Sequence, residues 1–108
     1  MPRQIAAWLK ALADETRLRI VALIDDRALA VSALALALGV PQPKISRHPS
    51  YLSRQRLVIA ERRGRFIYYR LSLPEDRDGR MILTALARWA TLRPACHSDR
   101  ARLRRVLG

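Results

Sequence analysis

The stretch LVIAERRGRFIYYRL, Leu57–Leu71, breaks the hydrophobic period of everything around it. Two β-rich runs, Leu57–Glu61 and Phe66–Leu71, flank a glycine-containing turn at Arg63-Gly64, which is the signal of a β-hairpin. On both sides of it the apolar residues recur at helical spacing instead. The chain therefore reads as mainly α with one small hairpin, in the order α-α-α-α-β-β-α, with a short further helix at the end. Its 108 residues suit a single domain, 1–108.

Ile5, Trp8, Leu9 and Leu12 lie at i, i+3, i+4 and i+7 and give the first helix one apolar face. Asp14 reads as the N-cap of the second, ETRLRIVALI, with Glu15 placed where the helix dipole favours a negative charge. Val31–Leu38 is the third. Its leucines alternate as in a strand, but the alanines between them are strong helix formers and poor strand residues. Val31, Leu34 and Leu38 then face the core and Leu36 is left exposed. Gly39 supplies the positive φ that ends this helix. VPQPK forms the turn and the start of the fourth helix, which runs to about Arg54. PEDRDG is a loop. Met81, Ile82, Ala85, Leu86 and Trp89 make the next amphipathic helix, which ends before Pro94. The tail SDRARLRRVLG adds a short basic helix carrying Leu103 and Leu107.

The net charge is +12 and the isoelectric point about 11.6, which points to a polyanionic partner. A merely soluble basic surface is the alternative. Clustering favours nucleic acid: from Lys44 to Arg70 there are eight basic residues and one acid, Glu61. One cysteine, Cys96, permits no intrachain disulfide. The longest apolar run, Ala28–Leu38, is too short for a membrane span, and the N-terminus has no signal-peptide pattern. A cytoplasmic protein without membrane contact is expected. No nucleophile–base pair stands at a telling spacing, and no phosphate-binding glycine loop or HExxH motif occurs, so an enzyme is not expected.

Two short helices joined across Gly39 and followed by a basic hairpin form a winged helix-turn-helix pattern, about residues 30–71. The second helix of such a pair presents its N-terminal residues to base edges in the major groove, and the wing places cations on the backbone. Gln42, Lys44, Ser46, Arg47 and Ser50 are the candidate readers. Glutamine pairs with adenine and arginine with guanine through two bonds each. Arg62, Arg63 and Arg65 are the candidate phosphate contacts, against the alternative of a solvated turn. Tyr68 and Tyr69 alternate to opposite faces, so one belongs to the core and one to an interface. His48 reads as a packed, hydrogen-bonded histidine rather than a ligand.

LKALADETRLRIVALI, LALALGVPQPKISRH and LVIAERRGRFIYYRL together resemble the ArsR/SmtB family of bacterial transcriptional repressors, from about Leu9 to Leu71, in order and spacing. The resemblance implies a homodimer built on the first and last long helices, a double-stranded DNA operator with two-fold symmetry, and release when an effector binds. Residues 1–13 and 78–108 would then serve dimerisation, through Ile5, Trp8, Leu9, Leu12, Ile82, Leu86 and Trp89. Many members carry a Cys-x-Cys pair at the start of the third helix that binds soft metals or arsenite. Here the matching positions are Ala30 and Ser32, which cannot supply soft donors. A second family site needs Asp and His on the last long helix, and Asp78–Leu92 has no histidine. No metal or other cofactor is therefore expected at those places, although a metal or metalloid effector remains compatible with the family. Cys96 and His97 are the remaining sensor candidates: a metal or metalloid site shared across a dimer, a thiol activated by Arg93 and Arg100, or an ordinary surface or interface cysteine.

Two residues depart from the family pattern. Pro49 replaces a leucine within the fourth helix, where proline costs about 3 kcal/mol in an interior position, so a bent helix is expected. On that reading Pro49→Leu raises stability. Arg56 replaces a glycine and has to adopt the left-handed conformation or end the helix differently. Both are the best support for an alternative function, a protein-interaction module on a winged-helix scaffold whose DNA reading is weakened or lost.

Overall fold

The computed structural model describes the backbone of residues 2–107 and the side chains of residues 4–107. Six helices and three short strands alternate: α1 Pro2–Leu12, α2 Glu15–Leu23, β1 Leu29–Ala30, α3 Val31–Leu38, α4 Arg47–Arg54, β2 Val58–Arg63, β3 Phe66–Leu71, α5 Arg77–Thr91 and α6 Pro94–Leu107. None of these helices is long and apolar enough to cross a membrane.

Local chemistry sets most boundaries. Asp14 caps α2 by accepting the Arg17 backbone N–H at 3.0 Å. Asp76 caps α5 in the same way through Gly79 at 2.7 Å. Gly39 ends α3 at φ 72°. Gly79 also permits a close approach, since a Cβ there would lie 3.1 Å from the Trp8 ring. Arg56 takes the left-handed conformation at φ 63°, the first of the two outcomes its position allows.

The hairpin is in register from Val58↔Leu71 to Arg63↔Phe66, around Gly64 at φ 63°. It is not alone. The two-residue strand β1 pairs antiparallel with β3, Leu29↔Tyr69 and Ala30↔Tyr68, giving a three-stranded sheet in the order β1-β3-β2. Two residues carry no periodicity, so the sequence pattern misses this strand.

The main core cluster draws on all six helices, with Ile20, Leu23, Ile24, Leu34, Leu52 and Val58 fully buried, and a second small cluster joins Ala22, Ala90 and Cys96. As expected, Leu34 and Leu38 point inward and Leu36 outward. Burial of such aliphatic side chains stabilises by roughly 1.5–3 kcal/mol each.

Two sequence expectations are corrected here. The final helix is not short: α6 spans 14 residues and packs along α2 and α3, burying Cys96, Asp99 and Leu103. The fourth helix does not begin at VPQPK and bend at Pro49. Gln42–Lys44 forms a separate 3₁₀ turn, and α4 starts at Arg47, which makes Pro49 its third residue. A helix's first N–H groups have no intrahelical acceptor, so a proline there sacrifices nothing. The Ile45 carbonyl that a longer helix would have left idle accepts from His48 N at 2.9 Å. Pro49 is itself fully buried. A stability gain from Pro49→Leu thus has no backbone source, and the larger side chain enters a filled position.

Candidate nucleic-acid interface

The helix-turn-helix is α3, the turn with Gly39, and α4. A cluster at the end of α1 fixes the angle of α4. Arg17 donates through Nε to the Ala11 carbonyl at the end of α1. Its guanidinium stacks 4.4 Å from the Tyr51 ring centroid on α4. Its Nη1 lies 3.3 Å from Nδ1 of buried His48. Arginine has only donors, so Nδ1 is the acceptor and the ring is neutral.

Burial holds His48 below the ordinary histidine value. Asp14 pulls it back up, while Arg17 and Arg47 push in the same direction as burial. The depressed value means that below about pH 6.5 the unfolded chain binds a proton that the folded chain refuses. Stability should therefore be flat above neutrality and fall as pH drops through that point. His48→Gln, whose amide oxygen still accepts from Arg17, should remove the fall. Urea midpoints measured near neutrality and about two pH units lower, for both proteins, check this; an equal fall in both would place the titrating group elsewhere.

With α4 so held, Gln42, Lys44, Ser46 and Arg47 are exposed along the 3₁₀ turn and the first turn of α4. Ser50 is half-buried, and its hydroxyl donates to the Ser46 carbonyl at 3.2 Å. The five lie on one continuous segment, but Gln42 and Lys44 belong to the turn rather than to the helix. Ser53 and Arg54, which the sequence reading did not single out, continue this segment at the far end of α4.

The wing presents Arg62, Arg63 and Arg65, all exposed. Strand alternation separates them. Val58 and Tyr69 on one face of the sheet belong to or pack against the core, and Arg62 is at the outer end of that face. Arg63 lies on the other face with Tyr68, its guanidinium 4.7 Å from the ring centroid. Tyr69 is thus the core tyrosine and Tyr68 the surface one. Glu61, the only acid between Lys44 and Arg70, is paired with both Arg70 and Arg63, and the Arg70 hydrogen bond chiefly holds its carboxyl below the usual carboxylate range.

The expected dimer residues divide into two groups. Trp8 and Leu12 are buried within the chain, and Trp8 Nε1 donates to the Gln55 carbonyl at 3.2 Å. They hold α1 on the core rather than offering a surface, a correction the helical period alone cannot make because it marks a face without naming its partner. Ile5 and Leu86 are half-buried. Leu9, Ile82 and Trp89 remain open, at 50%, 50% and 49% exposure.

Cys96 lies buried against Ala22 and Ala90. Burial pushes its thiol up, and nearby Asp99 adds to this, outweighing Arg19, Arg100 and Arg93. Arg93 is instead stacked 4.5 Å from Trp89, and Arg100 donates to the Ala22 carbonyl. The arginine-activated thiol is therefore corrected: Cys96 is a packed residue. His97, beside it in sequence, is exposed. Ala30 and Ser32 line an apolar groove of about 380 Å³ with Leu29, Phe66, Tyr68 and Leu107. That donor set does not fit a soft metal or arsenite.

The strongest structural feature outside the sequence reading is an ion cluster on α6. Asp99, fully buried, accepts from Nε and Nη2 of Arg19 at 2.8 and 2.7 Å and from Nη2 of Arg102 at 2.8 Å. Arg102 Nε also donates to the Ala37 carbonyl at 2.7 Å. Ala22 and Ala37 lie in the last turns of α2 and α3, where carbonyls lack intrahelical partners. Four residues beyond Ala37 stands Pro41, which has no N–H to give. The arginines of α6 are thus the caps of two other helices.

Comparison with known proteins agrees with this architecture. Residues 14–60 match the model of bacterial regulatory proteins of the arsR family. The arsenical resistance operon repressor of Escherichia coli (strain K12) is 47% identical over 64 residues, covering 58% of this chain and 55% of that protein. The HTH-type transcriptional repressor SmtB of Mycobacterium tuberculosis (strain ATCC 25618 / H37Rv) is 41% identical over 90 residues, covering 80% of this chain and 65% of that protein. The chain thus spans between half and two thirds of the length of these relatives. Among solved structures, the homodimeric winged helix-turn-helix DNA-binding domain of Mb0332 from Mycobacterium bovis superposes with a TM-score of 0.66 at 32% identity, over 82% of this chain and 79% of that one. Sequence blocks, winged helix-turn-helix geometry and relatives converge, and the chain belongs to the ArsR family of bacterial regulatory proteins.

Proposed function

We propose that the protein is a homodimeric, sequence-specific transcriptional repressor that leaves its two-fold symmetric operator when an effector binds. The observation that carries this reading is the exposed basic segment Gln42–Arg47 on a helix-turn-helix whose angle is fixed by Arg17, beside a wing bearing Arg62, Arg63 and Arg65. Pro49 does not weaken the reading, because it lies at the start of α4 and leaves Arg47 exposed. On this reading Arg47 reads a base, and the wing arginines grip the backbone.

Binding to a duplex from the gene's own upstream region, titrated with salt, tests it. Arg47→Ala should cost about 1–3 kcal/mol on that duplex and much less on a scrambled one. Equal affinity of the parent for both duplexes would remove sequence-specific repression.

A further inference from the structure

A groove of about 230 Å³ lies between α2 and the turn that leads into α4. Thr16 and Arg19 form its α2 wall, and Lys44, Arg47 and His48 face them over an apolar floor that includes Ile45. Arg19, Lys44, Arg47 and the Thr16 hydroxyl thus border a space large enough for one tetrahedral anion.

Arg19 is held for this purpose by geometry. Its Nε and Nη2 are spent on the two oxygens of Asp99. A guanidinium carries five N–H groups in one plane, so the edge given to Asp99 leaves the Nη1 edge free to donate. The carboxylate is fully buried, which fixes the fork, and the arginine keeps 23% of its side chain in solvent. Lys44 and Arg47 are exposed. The opposing charges nearby are limited. Asp99 is shared between Arg19 and Arg102, Asp14 is turned onto the Arg17 backbone N–H, and Glu15 is exposed at the first position of α2. The Nδ1 of His48 is taken by Arg17.

The groove shares Lys44 and Arg47 with the surface assigned to DNA, so an anion seated in it lies beside the recognition segment. We propose that it receives one backbone phosphate of the bound duplex. The inference rests on the DNA-binding reading above. It extends the interface to Thr16 and Arg19 of α2 and moves Lys44 from base reading to backbone positioning.

The test measures binding of the parent, Thr16→Val, Lys44→Gln and Arg19→Lys to the upstream duplex and to a scrambled one over a range of salt. Each variant should lose about three- to tenfold in affinity, by the same factor on both duplexes. Lys44→Gln should also lower the slope of log K against log salt by about 1. Arg19→Lys, which retains charge but not the fork, should leave that slope unchanged; if it fails to fold, the other two variants carry the test. Duplexes with a single neutral methylphosphonate should reveal one position per half-site that weakens the parent but not a Thr16→Val/Lys44→Gln double variant. Full affinity in all variants, or a loss confined to the upstream duplex, would overturn the phosphate assignment while leaving the DNA-binding reading intact. Failure of the parent to bind either duplex would overturn both. Inorganic phosphate that, at constant ionic strength, raises the Tm of the parent but not of Lys44→Gln and displaces DNA would assign the groove to a free oxyanion instead.

Discussion

Ile82→Glu should convert the protein into a monomer and lower its affinity for a two-half-site duplex by about a hundredfold or more. Ile82 is half-exposed on α5, one face of which also shows Met81 and Trp89 to solvent. A cleft lined by Ile5, Leu9 and Ile82 joins this face to α1. Soluble monomers rarely leave such contiguous apolar area open, and here it lies on the two helices that the resemblance assigns to dimerisation. A carboxylate at its centre is costly to bury against a second apolar surface. Because Ile82 is not part of the buried core, the monomer should keep its helical content. Linking two half-site contacts in one dimer raises affinity by about 10²–10⁴, and that factor is what the substitution removes. Sedimentation equilibrium and DNA titration on the same samples read the two effects. Trp8→Ala supplies the contrast, since Trp8 is buried within the chain and its loss should lower stability ahead of association. A dimer that survives Ile82→Glu at unchanged affinity would place the interface elsewhere.

The parts of this molecule legible in its sequence are those decided within a few residues. Asp14 caps α2 because its carboxylate reaches an N–H three residues on, and Gly39 ends α3 because only its own φ is at issue. The hairpin and the outward Leu36 follow from period alone. What escapes is whatever depends on a distant partner. Strand β1 exists because Leu29 and Ala30 meet Tyr69 and Tyr68 across the chain. The place of Pro49 in its helix is not legible in sequence because a 3₁₀ turn and an α-helical start have nearly the same apolar spacing, and only the hydrogen bonds separate them. Trp8 reads as a contact to a partner subunit because its helical face gives no hint of Gln55 and Gly79 within the chain. At the candidate site, the exposed readers were visible as a basic cluster, whereas Thr16 and Arg19 were hidden in what reads as an ordinary amphipathic helix. Their only signal was Asp99, an acid in an otherwise basic tail, 80 residues away from Arg19.

Asp99→Asn is the substitution expected to damage the fold most for the fewest atoms changed. Asparagine keeps the volume but replaces one acceptor oxygen with a donor facing a guanidinium. It also removes the carboxylate charge paired with both Arg19 and Arg102. Breaking a buried ion pair from one side costs about 3–5 kcal/mol. The arginines keep 23% and 36% of their side chains in solvent, so water recovers part of the loss and the lower end, about 3 kcal/mol, is expected. Against a total stability of about 5–15 kcal/mol, that should lower Tm by roughly 10–15 °C at fixed protein concentration. Asp26→Asn is the matched control: its 3.2 Å pair with Arg100 is half-exposed, and its loss should cost less than about 1 kcal/mol. The consequence for function follows from the same bonds. Arg19 would lose the fork that aims it at the groove, and Arg102 the tether that keeps it on the Ala37 carbonyl at the end of α3. DNA affinity of the Asn variant, measured well below its Tm, should therefore fall together with that of Thr16→Val. A Tm within about 3 °C of the parent would mean that α6 is held by the burial of Leu103 and Cys96 and that the ion cluster only decorates it.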